Sequence, residues 1–194
     1  MDNTAKIDYK NIFYPPGGIL IWIIIYLELV TFGIALVFMA LNASAEPQVF
    51  HESRLLLNTG YGAVNTVFLL SSGWCMAQSV HYLKLRNFSK SKLFLKFTMI
   101  GGLLFLALKS VEYYDKVEAG LTVGYDAFFG YYWMLTLFHV IHVVVGIVIL
   151  LVLGSTLSKK PETLKVEDYE SGAAFWHMCD LIWLLLFPII YLLF

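Results

Sequence analysis

Residues Phe128–Leu157 read FFGYYWMLTLFHVIHVVVGIVILLVLGSTL, without one formally charged side chain. A helix that crosses a bilayer needs about 20 mostly apolar residues, and this stretch exceeds that length. In lipid, backbone N–H and C=O groups must find partners within their own segment, so the stretch is expected to be a helix rather than a strand. Working outward, four more apolar runs appear. Gly18–Leu41 contains one charge, Glu28, and Leu55–Leu83 is uncharged until Lys84. Phe97–Tyr114 is shorter and carries Lys109 and Glu112; Gly172–Phe194 carries His177 and Asp180. The expected fold is therefore all-α, an integral membrane bundle of five transmembrane helices over residues 18–194. A polar segment of mixed charge, residues 1–17, precedes it. The first apolar run is longer than a signal-peptide core, so it is expected to be a retained helix. There is no internal repeat, low-complexity tract or soluble domain.

Composition agrees with this reading. The chain is 59% hydrophobic and 14% charged, whereas a soluble domain carries about 25% charged residues. A net charge of −1 supplies no basic field to hold phosphate, which argues against nucleic acid as a partner. Cys75 and Cys179 sit in apolar runs and match no CxxC pattern, so they read as small buried hydrophobes.

The basic residues set an orientation. With a cytoplasmic N-terminus, Lys6, Lys10, Lys84, Arg86, Lys90, Lys92, Lys96, Lys159, Lys160 and Lys165 all fall inside, and only Arg54 and Lys116 fall outside. The C-terminus then lies on the outer face. Pro188, in the last span, is expected to kink it or be accommodated by neighbours.

Polar groups in the spans are the candidate functional residues, because an ionisable group at mid-bilayer is costly unless neutralised or turned toward protein. Glu28 lies near the midplane and is expected to be a neutral carboxyl, bonded within the bundle or touching lipid or a proton path. Lys109 and Glu112, three apart, share a helix face and are expected to pair near the outer interface. His139 and His142 also share a face. A b-type haem needs two histidines from facing helices at matching depth; His81 and His177 fall nearer the inner side, so packing histidines are the preferred reading. No clustered ligand set for copper or zinc appears. His177 and Asp180 could form a catalytic pair, but no nucleophile or oxyanion motif accompanies them. Asn65, Thr66, Ser71 and Ser72 are the small and polar residues that allow close helix approach. Trp22, Trp133 and Trp176 are placed near span ends as interface anchors.

The last span, FWHMCDLIWLLLFPIIYLLF (residues 175–194), resembles the closing helix of subunit III of haem-copper respiratory oxidases, through Trp176, His177, Asp180 and Trp183. Four further segments resemble that family in order. They are IYLELVTFG with Glu28, VNTVFLLSSG (residues 64–73) with His81 beyond it, LKSVEYY with Glu112, and FHVIHVVVG (residues 138–146). The family's long form has seven helices; this chain resembles the short five-helix form of bacterial oxidases, which lacks the first two. In the long form those two make one wall of a lipid-holding cleft.

The resemblance implies a non-catalytic accessory subunit. It would carry no haem or copper, which belong to the partner catalytic subunit I. It would pack on that subunit and on subunit II in the bacterial inner membrane, hold phospholipid and support proton uptake. Glu28, Lys109 and Glu112 would be the lipid- or proton-related residues. Asn65, Ser71, Ser72, His139, His142, His177 and Asp180 would form an interhelical polar network. Three alternatives are weighed: the similar accessory protein of a nitric oxide reductase, a small di-haem b-type cytochrome, and a transporter or channel. The last would show discontinuous helices around a midplane site.

Overall fold

The computed structural model describes residues 15–194; Lys6, Lys10 and residues 1–14 of the expected N-terminal segment lie outside the described residues. The described residues form helices joined by turns and short loops. Helix α1 spans Ile19–Ala45, the short α2 Pro47–Leu55, α3 Thr59–Lys84, α4 Phe88–Glu118, α5 Ala127–Lys159 and α6 Val166–Pro188. A 3₁₀ turn, Pro161–Thr163, leads into α6, and a wider π turn, Ile189–Leu193, follows it.

Among the described residues, four helices are long and apolar enough to cross a membrane: α1, α4, α5, and α6 continued to Leu193. Helix α3 has 26 residues, about 39 Å of helix, which is length enough. Its Asn, Thr, Ser and Gly content keeps it below the apolarity of the other four. The fold is thus a multi-pass membrane bundle.

Several boundaries differ from the expected spans. The run Leu55–Leu83 is broken: α2 lies before it, and Asn58 restarts the chain as α3 by accepting a hydrogen bond from Gly60 N at 2.9 Å. Helix α4 starts at Phe88, not Phe97, because Asn87 caps it by accepting from Lys90 N. Its first turns carry Lys90, Lys92 and Lys96, which a hydropathy window scores as loop. Helix α4 ends at Glu118, and just beyond it Gly120, with φ of 75°, makes the left-handed turn that lets Leu121 N reach Lys116 O. Helix α6 begins at Val166, not Gly172. Pro188 cannot donate to the ladder, and the helix widens into the π turn directly after it.

Helices α3 and α4 form the most extensive pairing, an antiparallel hairpin. Helix α6 is the centre of the bundle, packed on α3, α5 and α1. Its Trp176, Cys179, Ile182, Trp183 and Leu186 are all buried. Trp176 is therefore a core residue and no interface anchor; it occupies the space left by Gly102 and Gly146. Helix α1 lies at the periphery, with Ile25, Phe32, Leu36, Met39 and Ala43 turned inward and most of its other apolar side chains exposed.

Candidate functional site

The polar side chains within the spans gather in three places. The first is at the end of the bundle near α2. Lys109 Nζ donates to Glu112 Oε2 at 2.9 Å and to the hydroxyls of Tyr191 (2.7 Å) and Tyr132 (3.4 Å). Both hydroxyls donate in turn to Glu112 Oε1, Tyr191 at 2.6 Å and Tyr132 at 3.0 Å. Every Glu112 oxygen is occupied, and the charges cancel within the cluster. Lys109 and Glu112 are 1% and 0% exposed. The pair therefore does not snorkel to the interface as expected. The π turn carries Tyr191 back over the pair, and Tyr132 closes it from α5. Helix α2 covers this end. Ser53 bonds Asp126, the N-cap of α5; Arg54 donates to Tyr191 O at 3.3 Å; Lys116 donates to Leu56 O at 2.6 Å.

The second place joins α1 to α5. His142 Nδ1 lies 2.8 Å from Phe138 O, which can only accept, so Nδ1 carries a proton. Nε2 then faces Glu28 Oε2 at 3.2 Å. The contact brings the Glu28 carboxyl of α1 against the imidazole of α5, although Oε2 makes no hydrogen bond of good geometry there. Phe32 of α1 supports it, stacking on Phe138 and meeting His142 edge-on.

The third place is an open groove of about 520 Å³ between α1 and α3, floored by α6. Its walls include Trp22, Ile25, Leu29, Ala77 and Val80, and its floor includes Ala173, Ala174 and Met178. At one end Lys84 pairs with the buried Glu170 at 2.5 Å. His177 projects into the groove, 45% exposed, with Nδ1 3.4 Å from Asp180 Oδ2. Asp180 lies directly on Gly73, where no side chain could fit.

Among the remaining expected network residues, Ser72 bonds α3 to both neighbours. Its hydroxyl donates to Thr98 O at 2.8 Å and accepts from Trp176 Nε1 at 3.0 Å. Ser71 turns back on its own helix, to Val67 O and Phe68 O. Asn65 and His139 are fully buried, yet their side-chain polar atoms have no protein hydrogen-bond partner. His139 instead stacks on Trp183 and meets Phe105 edge-on.

Sequence reasoning missed Tyr132, Tyr191, Lys84, Glu170 and the bonds of Ser79 on α3 to Tyr169 on α6 and to Ser91 on α4. Tyrosines near span ends look like interface residues, and Lys84 and Glu170 are far apart in sequence. Among the described residues, no three His, Cys, Asp or Glu side chains come together as a metal-holding group.

The sequence pattern of cytochrome c oxidase subunit III matches residues 54–193. The chain belongs to the cytochrome c oxidase subunit III family. Its curated relatives named cytochrome c oxidase subunit 3 include those of Drosophila melanogaster, 34% identical over 133 residues, and Paracentrotus lividus, 33% over 129. Each alignment covers 66% of this chain and 48% of the relative, so the chain spans about half the length of these subunit III proteins. The Spodoptera frugiperda relative is 32% identical over 129 residues, 66% of this chain and 86% of that protein. The match takes in α3 to α6 with the Lys109 cluster, His142, His177 and Asp180. Helix α1 and Glu28 lie outside it.

Proposed function

We propose that this subunit III chain is a non-catalytic accessory subunit of a haem-copper terminal oxidase, packed on catalytic subunit I and on subunit II. The observation that carries the reading is the family match across α3–α6, taken with what the buried polar groups do. Glu112, Lys109 and the two tyrosines satisfy one another, and His142 is engaged by Glu28. Haem, copper and the reduction of oxygen then belong to the partner. Helix α3 is the fifth span, shielded from lipid on its Asn65 and Ser72 face by α4 and α6. The basic helix ends, at Lys90 on α4 and Lys159 on α5, lie on the cytoplasmic side and meet anionic headgroups. The C-terminus is outside. The short-form resemblance supports placing the chain in a bacterial inner membrane.

The groove supports the lipid-holding part of this role. Its apolar walls fit an acyl chain, and the Lys84–Glu170 end offers charge to a headgroup. The same fold without its partners has exposed apolar faces on α1, α4 and α5, which lipid and a catalytic subunit would cover together.

The test is purification of the tagged chain from its native membrane, with identification of the co-purifying polypeptides. Recovery of a haem-copper catalytic chain with oxygen-reducing activity is expected. Recovery of a catalytic chain that reduces nitric oxide and not oxygen would replace this reading with the reductase alternative.

A further inference from the structure

Side chains of α3, α4 and α6 meet in layers that repeat every seventh residue. Helix α4 sends Ser91, Thr98, Phe105 and Glu112 into the interior, each seven residues after the last and all buried. Helix α6 supplies Tyr169, Trp176 and Trp183, also seven apart and buried. In the first layer Ser79 Oγ donates to Ser91 O at 2.7 Å, Ser91 Oγ donates to Ser79 O at 2.9 Å, and the Tyr169 hydroxyl lies 2.6 Å from Ser79 Oγ. In the second, Ser72 binds Thr98 O and Trp176 Nε1. In the third, the Trp183 ring lies 4.9 Å from that of Phe105, and Nε1 donates to Thr66 Oγ1 at 2.9 Å. The fourth layer breaks the count. Its α4 member is Glu112, and the α6 residue that reaches it is Tyr191, whose hydroxyl donates to Oε1 at 2.6 Å. Tyr191 comes eight residues after Trp183, not seven. In an α-helix a residue seven further on falls about 20° behind the starting face, and one eight further on about 80° ahead of it. A continuous α-helix would therefore aim Ile190 along the row and swing Tyr191 away from Glu112. The π turn Ile189–Leu193 lies over this step. A π turn closes from i to i+5 instead of i+4, and so takes in one extra residue.

We infer that the π turn is a phase correction, which absorbs the eighth residue so that Tyr191 stays in the row of Tyr169, Trp176 and Trp183 and seats on Glu112. The bonds of the Tyr191 hydroxyl hold the turn open. That hydroxyl accepts from Lys109 Nζ at 2.7 Å while it donates to Glu112. With Tyr191 turned away, both buried charges would lose a partner in an interior that has no bulk water to replace it. Pro188 lacks an N–H and weakens the ladder where the extra residue enters, but it does not set the phase.

The test is a one-residue deletion in the full chain, purified from its native membrane. Removing Ile189 puts the tyrosine seven residues after Trp183, where a regular α-helix aims it at Glu112. Tyr191→Phe, made in the intact chain and again at the same tyrosine in the deletion chain, reads whether the hydroxyl is engaged. It should lower the unfolding temperature by roughly 4–8 °C in both. A deletion chain that does not fold, or that folds and is indifferent to loss of the hydroxyl, overturns the inference. So does an intact chain that is indifferent to it. Pro188→Ala separates phase from proline. The Tyr191→Phe loss should persist in the Pro188→Ala chain, because the phase demand is unchanged. If that chain does not fold, or if the loss disappears there, the proline sets the turn and the inference fails.

Discussion

Lys109 Nζ lies 2.9 Å from Glu112 Oε2, and neither side chain is exposed by more than 1%. Two tyrosine hydroxyls complete the coordination of both charges. A buried pair of this kind is weak evidence for net stability, but removing one partner leaves an uncompensated charge in a medium that cannot solvate it. Lys109→Met or Glu112→Gln alone should therefore cost about 3–5 kcal/mol. The double variant should recover much of that loss. Thermal unfolding of the three purified variants checks this. Singles no worse than the double would mean that the pair is not fully buried.

Trp176 is held by glycines. A Cβ at Gly102 would stand 2.5 Å from Trp176 Cη2, and one at Gly146 would stand 2.9 Å from Cε3. Gly102→Ala should push the indole from its place, loosen its bond to Ser72, and cost about 1–3 kcal/mol through overpacking. Gly33→Ala is the matched control, because beyond the backbone of its own helix nothing lies within 4 Å of the added Cβ. Gly33→Ala should leave the unfolding temperature unchanged or raise it slightly, because alanine favours the helix over glycine. Equal effects at the two sites would contradict the packing described.

The Glu28–His142 pair joins the peripheral α1 to α5. Glu28→Gln keeps a donor for His142 Nε2, so the variant chain should stay in its complex with the visible spectrum of the partner unchanged. Glu28→Leu removes the polar contact and should make α1 more accessible to membrane-soluble cysteine reagents at a probe cysteine placed on its inner face. Loss of partner haem in Glu28→Gln would assign this residue a different role.

Much of the fold is legible in the sequence, and the exceptions have physical causes. The run Phe128–Leu157 gives α5 to within two residues at each end, because an uncharged span has nothing to blur it. The start of α4 is not legible, since its lysines extend the helix beyond the apolar stretch, and only the Asn87 cap marks it. The Lys109–Glu112 pairing follows from spacing alone. Its burial does not, because that depends on Tyr191 returning through the π turn after Pro188. Likewise Trp176 reads as an interface residue until Gly102 and Gly146 are seen to leave room for it.

The groove yields a further prediction. Ala174 lies in its floor. Ala174→Phe should reduce the phospholipid that co-purifies with the chain, measured by mass spectrometry of extracted lipid, without loss of the bundle. Unchanged lipid content would place any bound lipid elsewhere.

The account rests on redox centres lying in a partner and not in this chain. The most direct measurement is the visible spectrum of the tagged chain in its native complex, and again after detergent has stripped the other subunits away. The account predicts haem absorption in the complex that departs entirely with the catalytic subunit. A stoichiometric haem signal that stays with the isolated chain, and is lost on His139 or His142 substitution, would contradict it.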